Sequence, residues 1–153
     1  MTRTSQTKPR HRGAPGEAEL LLRSRGLRVT LPRIAVLDAL TRASHVDADW
    51  VAAAVRAELG SVSVQTIYDV LQTLTENGLI RRIEPAGSPM LYERRVGDNH
   101  HHIVCRMCHA IRDTECVVGE VPCLEAADPA GYVIEEAEVT FWGICPDCQN
   151  LYR

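Results

Sequence analysis

At 153 residues and 45% hydrophobic side chains, the chain has the length of one domain or two small ones and enough apolar content for a core. No apolar run approaches a membrane span, and the opening stretch carries Arg3, Lys8, Arg10 and Arg12 without an apolar segment. That excludes a secretory signal and makes the cytoplasm the expected location. The net charge of −3 speaks against nucleic acid only until it is divided, because residues 1–95 balance to +4 and residues 96–153 to −7. A basic half followed by an acidic half suggests a nucleic-acid face on the first and a different task on the second.

Residues 1–16 read as a flexible basic arm able to touch phosphates, or as a frayed terminus. Glu17 to Arg25 predicts a short helix ended by Gly26. Thr30 is placed to cap a helix running to about Thr41, with Pro32 in its first turn and Leu31, Ile34, Leu37 and Leu40 as an inward stripe. Asp47 or Asp49 starts a third helix whose Trp50, Val51, Ala54, Val55 and Leu59 share a face, and Gly60 ends it. Ser63 caps a fourth, in which Ile67, Val70, Leu71 and Leu74 keep helical spacing up to Gly78. Its outer face holds Gln65, Thr66, Tyr68, Asp69, Gln72 and Thr73, hydroxyl and amide groups suited to base edges. Leu79–Ile83 and Met90–Arg95, joined by Pro85, Gly87 and Pro89, predict a β-hairpin bearing Arg81, Arg82, Arg94 and Arg95. Helices followed by such a hairpin give the layout of a winged helix, with the fourth helix in the major groove and the wing arginines along the phosphates. The alternative is a small helical domain that binds another protein.

All six cysteines lie in the acidic half, which favours a metal or redox role over a disulfide scaffold. Cys105-Arg-Met-Cys108 and Cys145-Pro-Asp-Cys148 form two CxxC knuckles, the arrangement of a closed structural zinc site, with two redox pairs as the alternative. Strands are expected over Ala110–Cys116 and Tyr132–Phe141, with a short helix over Glu120–Ala127. Zinc would tie the start of this small α/β unit to its end and supply folding energy. In a strand, His100 and His102 point together while His101 points away, and Glu93 and Asp113 stand close enough to converge on them. Two imidazoles with carboxylates suit Fe(II), Mn(II) or Zn(II), in a site exchangeable where four thiolates are not. The remaining pair, Cys116 and Cys123, can link under oxidation or simply be buried.

Taken together, these motifs resemble the ferric uptake regulator family over Glu17 to Cys148. The resemblance rests on Arg28-Val-Thr-Leu-Pro-Arg33, Ser63-Val-Gln-Thr-Ile-Tyr-Asp-Val-Leu71, His100-His-His-Ile-Val-Cys105-Arg-Met-Cys108 and Cys145-Pro-Asp-Cys148. More narrowly, Tyr92 to Cys105 and Cys116-Val-Val-Gly-Glu-Val-Pro-Cys123 look like the catalase-linked, peroxide-responsive regulators of high-GC bacteria, with which one lysine against sixteen arginines agrees. The resemblance implies an α+β chain: an arm (1–16), a winged-helix DNA-binding domain (17–95), and a small α/β dimerisation and sensing domain (96–153) with a four-cysteine zinc site. It implies a homodimer that represses from an inverted-repeat double-stranded DNA operator when metallated, with no membrane or small-molecule partner beyond metal and hydrogen peroxide.

Residue by residue, Cys105, Cys108, Cys145 and Cys148 match the family's zinc ligands. His45, Glu93, His100, His102 and Asp113 match its regulatory ligands for Fe(II) or Mn(II), and Tyr68 matches the groove-reading tyrosine. Arg28, Gln65, Thr66, Arg81 and Arg82 complete the expected DNA face. Glu93 departs from the aspartate of the best-known peroxide sensors. The family's third metal site is expected to be incomplete, since Asn99 and Ala137 replace ligands beside His101 and Glu120. Iron sensing and a Cys116/Cys123 thiol switch are the rival signals. A zinc hydrolase or deaminase is disfavoured, because His-His-His replaces the deaminase His-x-Glu and both knuckles are used by one closed site.

Overall fold

The computed structural model describes residues 16–94, 96, 100–114, 128–134 and 139–151. Four helices come first: α1 (Glu17–Ser24), α2 (Leu31–Arg42), α3 (Ala48–Leu59) and α4 (Val64–Glu76), with a two-residue strand β1 (Val46–Asp47) between α2 and α3. They are followed by β2 (Arg81–Ile83), β3 (Leu91–Glu93), β4 (His101–Cys105), β5 (Ile111–Thr114), β6 (Thr140–Gly143) and a short α5 (Pro146–Asn150). The mixture of helix and sheet is the expected one.

Helix limits follow from local chemistry. Asp47 caps α3 by accepting from the Trp50 backbone N–H at 2.8 Å, and Ser63 caps α4 by accepting from that of Thr66 at 3.0 Å. Gly78, at φ 62°, closes α4 and lets the Leu79 N–H reach back to the Leu74 carbonyl. Thr30 sits at the start of α2, but its side chain makes no capping bond, contrary to expectation.

The inward stripes are also corrected. Leu31 is exposed, whereas Ala35, Val36, Leu37, Ala39 and Leu40 are buried, because α2 packs against α1, α3 and α4 and so has more than one apolar side. Trp50 likewise lies outward, and α3 buries Val51, Ala52 and Val55. Helix α4 keeps its predicted face of Ile67, Val70, Leu71 and Leu74. These side chains, with Leu22, Leu79, Ile80 and Tyr92, form one core.

There are two three-stranded sheets, the first of which adds Tyr92 to that core. The first has the antiparallel order β1-β3-β2, pairing Val46 with Tyr92 and Arg81 with Glu93. The hairpin strands are shorter than expected, and β1 escapes sequence reading because two residues carry no period. The second has order β5-β4-β6, antiparallel for β4–β5 and parallel for β4–β6. A strand beginning at Tyr132 is not found, since residues 132–134 are irregular and β6 starts only at Thr140. The predicted helix over Glu120–Ala127, like Cys116 and Cys123, lies outside the described residues.

Candidate metal centres

Strand β4 alternates as its sequence demands. His102 and Val104 face one way, while His101 turns to Phe141 with ring centroids 6.4 Å apart. His102 is thereby directed to a point where both sheets meet. The β4–β5 register sets Asp113 directly opposite His102. From the first sheet, Glu93 ends β3, and from the link between α2 and β1 comes His45, held at φ 57°, a left-handed backbone that only a fixed surround maintains. Ligand-type atoms of His45, Glu93, His102 and Asp113 all lie within 4.8 Å of one another. The His45 Nε2 is 2.8 Å from Asp113 Oδ1 and 3.0 Å from Glu93 Oε2.

Glu93 is fully buried and His102 is 1% exposed. A buried Glu93 carboxylate beside that of the half-buried Asp113 demands a cation or a proton next to them. Burial lowers the affinity of His45 for its proton, but the hydrogen bond to Glu93 and the charges of Asp113 and Glu93 outweigh it, so its pKa lies above the ordinary histidine value. Burial likewise raises the Glu93 carboxyl, yet the bond to His45 and the positive side of His100 bring it below its usual range. For His102, burial prevails and the pKa falls. A divalent ion fits this donor set: ligands about 2.1 Å from a common centre stand at most about 4.2 Å apart, and the separations of His45 and His102 from Glu93 and Asp113, 2.8 to 3.8 Å, lie within that limit. His100 is not among the mutually close four. Its Nε2 meets Glu93 Oε1 at 2.9 Å, and its ring stands edge-on to His102, centroids 5.0 Å apart.

The second cluster gathers Cys105, Cys108, Cys145 and Cys148, again within 4.8 Å. Cys108 and Cys145 sulfurs are 3.6 Å apart, near the about 3.8 Å edge of a tetrahedron with Zn–S bonds of about 2.3 Å. Backbone N–H groups serve the sulfur of Cys105, those of Met107 at 3.4 Å and Cys145 at 3.3 Å among them. Such donors, first that of Cys108, bring its thiol down to about 6. Cys148 is pushed up to about 12 by the sulfurs of Cys145 and Cys108 beside it. Four thiolates therefore need a cation to coexist, and tetrahedral zinc fits.

On α4, Gln65 and Tyr68 are exposed. Thr66 shares a hydroxyl contact with Ser63, and Gln65 Nε2 donates to Asp69 at 2.7 Å, a pairing that sequence reading did not anticipate. Arg28 is exposed. Arg81 and Arg82, successive in a strand, project to opposite faces, the first opposite Glu93 and the second opposite Tyr92. Arg94 is corrected: its guanidinium turns inward to Glu17 and Thr41 rather than out along a phosphate path. Arg95 lies outside the described residues. His45 carries no spacing signal of its own, being a lone histidine between two helices, and only the family motif pointed to it.

A sequence-family profile, that of the ferric uptake regulator family, matches residues 24–141. The transcriptional regulator FurA of Mycobacterium tuberculosis is 56% identical over 127 residues, which cover 83% of this chain and 86% of that protein. Among solved structures, the Vibrio cholerae ferric uptake regulator superposes with a TM-score of 0.66 at 26% identity, over 82% of this chain and 98% of its own. The Campylobacter jejuni peroxide stress regulator does so with 0.65 at 27%, over 87% of this chain and 100% of its own.

Proposed function

The chain belongs to the ferric uptake regulator family, whose members are transcriptional regulators and not enzymes, and from that premise we propose that it is a repressor switched by one exchangeable metal ion. One observation carries the reading. The cluster of His45, Glu93, His102 and Asp113 takes two ligands from the surroundings of the first sheet and two from the second. An ion gripped by all four fixes the angle between a DNA-binding part (17–95), read as a winged helix, and a dimerising part (96–153). Residues 1–16 are its basic arm.

In this reading α4 enters the major groove with Gln65, Thr66 and Tyr68 towards base edges, and the exposed Arg28 and Arg82 serve the phosphates, while Arg81 lies on the Glu93 side of the hairpin. Cys105, Cys108, Cys145 and Cys148 hold a structural zinc. Fe(II) or Mn(II) occupies the mixed cluster, with His100 orienting Glu93 or joining the ligands. Homodimer formation is supported by the outer face of the second sheet, where the register neighbours Ile103 and Phe141 are 41% and 40% exposed. Two reading helices in a two-fold dimer match an inverted-repeat operator. Moving such a switch from 1:99 to 99:1 takes a preference of about 5.5 kcal/mol for the closed form, within reach of ligands drawn from separate parts. Among the described residues no helix is long and apolar enough to cross a membrane.

The signal we propose is hydrogen peroxide. A ferrous ion held by His45, Glu93, His102 and Asp113 would supply electron transfer to hydrogen peroxide, the net change being insertion of one peroxide oxygen into a nearby imidazole with water as the other product. This chain supplies the target: His45 and His100 each stand edge-on to His102, with centroids 5.3 and 5.0 Å away. Loss of a ligand opens the cluster, the dimer leaves its operator, and catalase-type genes are expressed. Iron sufficiency is the second reading, favoured by the equally good superposition on the Vibrio cholerae regulator.

The test is operator binding by anaerobically prepared protein of known metal content, before and after peroxide. Fe(II) protein should release its operator and gain an oxygen atom on a peptide holding His45 or His100, while Mn(II) protein should do neither. Unmodified histidines beside a Cys116–Cys123 disulfide would replace the peroxide-at-metal reading with a thiol switch.

A further inference from the structure

Arg94 follows the buried Glu93 and is itself only 17% exposed. Its guanidinium donates to Glu17 Oε1 at 2.5 Å and, on another nitrogen, to the Thr41 hydroxyl. Thr41 can accept because its own proton is given to the Leu37 carbonyl at 3.0 Å. Three distant parts of the chain thus meet on one side chain: the first residue of α1, the last turn of α2 and the end of β3. An exposed ion pair in isolation contributes little. Arg94 differs in being sheltered, held by two partners and placed next to the mixed cluster.

The same two segments are joined twice. His45 meets Glu93 in the cluster, and Thr41, four residues before His45, meets Arg94, one residue after Glu93. Arg94 stands in the bend directly after β3, one peptide bond from Glu93. Whatever draws the Glu93 carboxylate towards His45 therefore sets the position of Arg94, and with it Glu17. Two links that span one junction favour each other's formation, and the dependence is reciprocal.

We propose that Arg94 is a positioning residue that transmits occupancy of the mixed cluster to α1, fixing that helix when metal is bound. The proposal rests on the metal-switch reading above. Phosphate binding by Arg94 is incompatible with it, since the same donors are engaged internally.

Hydrogen exchange of the full-length, zinc-loaded protein with and without Mn(II) tests this. In the unmodified chain Mn(II) should slow amides of β4 and β5 and also those of residues 20–24 in α1. The slowing in α1 should be at least about twofold, the lower end of coupling between residues in contact. Glu17→Gln removes the exposed partner, whose loss the fold tolerates. It should abolish the slowing in α1 and leave that in β4 and β5, as should Arg94→Gln. The exchanged pair, Arg94→Glu with Glu17→Arg, should restore it, which a merely structural role would not do.

Slowing in α1 that persists in Glu17→Gln overturns the proposal and leaves the metal switch standing. So does slowing confined to β4 and β5 in the unmodified chain. No Mn(II) effect anywhere overturns both.

Discussion

Cys105, Cys108, Cys145 and Cys148 come from the end of β4 and the turn after it and from the start of α5 just after β6, all beside one sheet, whereas His45, Glu93, His102 and Asp113 come from four segments, two beside or in each sheet. The numbers of donors are equal, and the wiring is opposite. Four sulfurs joined within one sheet can only fasten it: the Arg106 N–H already bonds the Gly143 carbonyl at 2.8 Å beside them. Nitrogen and oxygen donors divided between two sheets make the relation of those sheets depend on what lies between them. Donor softness separates the clusters in the same sense, since thiolates retain zinc and a mixed set exchanges its ion. Position in the chain, as much as ligand type, distinguishes a fastener from a switch.

The largest effect should follow from breaking the fastener. Cys148→Ser, at a buried sulfur, should reduce zinc from one ion per chain to almost none and remove the protection of β4 and β6 amides. Structural zinc commonly contributes about 10–16 kcal/mol of apparent binding energy in small modules, more than a short three-stranded sheet can replace. Metal analysis with hydrogen exchange checks this, and full zinc occupancy in C148S would erase the contrast drawn between the clusters.

The next effect should separate them. His45→Asn removes the imidazole while supplying a residue that tolerates the left-handed backbone at this position. Mn(II) affinity should fall about 100-fold or more, beyond the range usual for outer-shell partners, with zinc content and thermal stability unchanged. Operator binding should then no longer respond to Mn(II). A metal response retained in both His45→Asn and His102→Ala would show that the two sheets communicate by another route.

How much of this could be read without the fold varies with how strongly local sequence constrains each part. Four thiolates at CxxC spacing identify themselves, and strand alternation alone assigned His100 and His102 to one side. Helix α4 was predictable because one face packs and the other does not. The same logic failed for Leu31 and Trp50: α2 is enclosed by three helices, so its burial follows no single stripe, and Trp50 sits in a first turn outside the packed face. His45 and Arg94 owe their roles to partners 48 and 77 residues away, Glu93 and Glu17, and no window along the chain contains both members of either pair.

A smaller effect tests whether reading and sensing are separable. Tyr68→Ala, on the exposed face of α4, should weaken operator binding about tenfold, within the about 1–3 kcal/mol typical of a specific base contact. Mn(II) and zinc binding should be unaffected, and titration of each variant with labelled operator measures the difference. A matching loss of Mn(II) affinity would mean that Tyr68 acts on the cluster and not on the groove.

The smallest expected effect supplies the control that the others need. Ser63 accepts the Thr66 N–H at the start of α4, and Ser63→Ala should cost about 1 kcal/mol, seen as a fall of about 2–4 °C in Tm. The cap lies on neither cluster, so both ions should bind as before, and metal should raise operator affinity by the same factor as in the unmodified chain. If weakening this cap alone also reduced that factor, general softening of the helical part would be enough to uncouple the switch. The loss in His45→Asn would then have to be measured against Ser63→Ala, at matched stability, before it was assigned to the junction between the sheets.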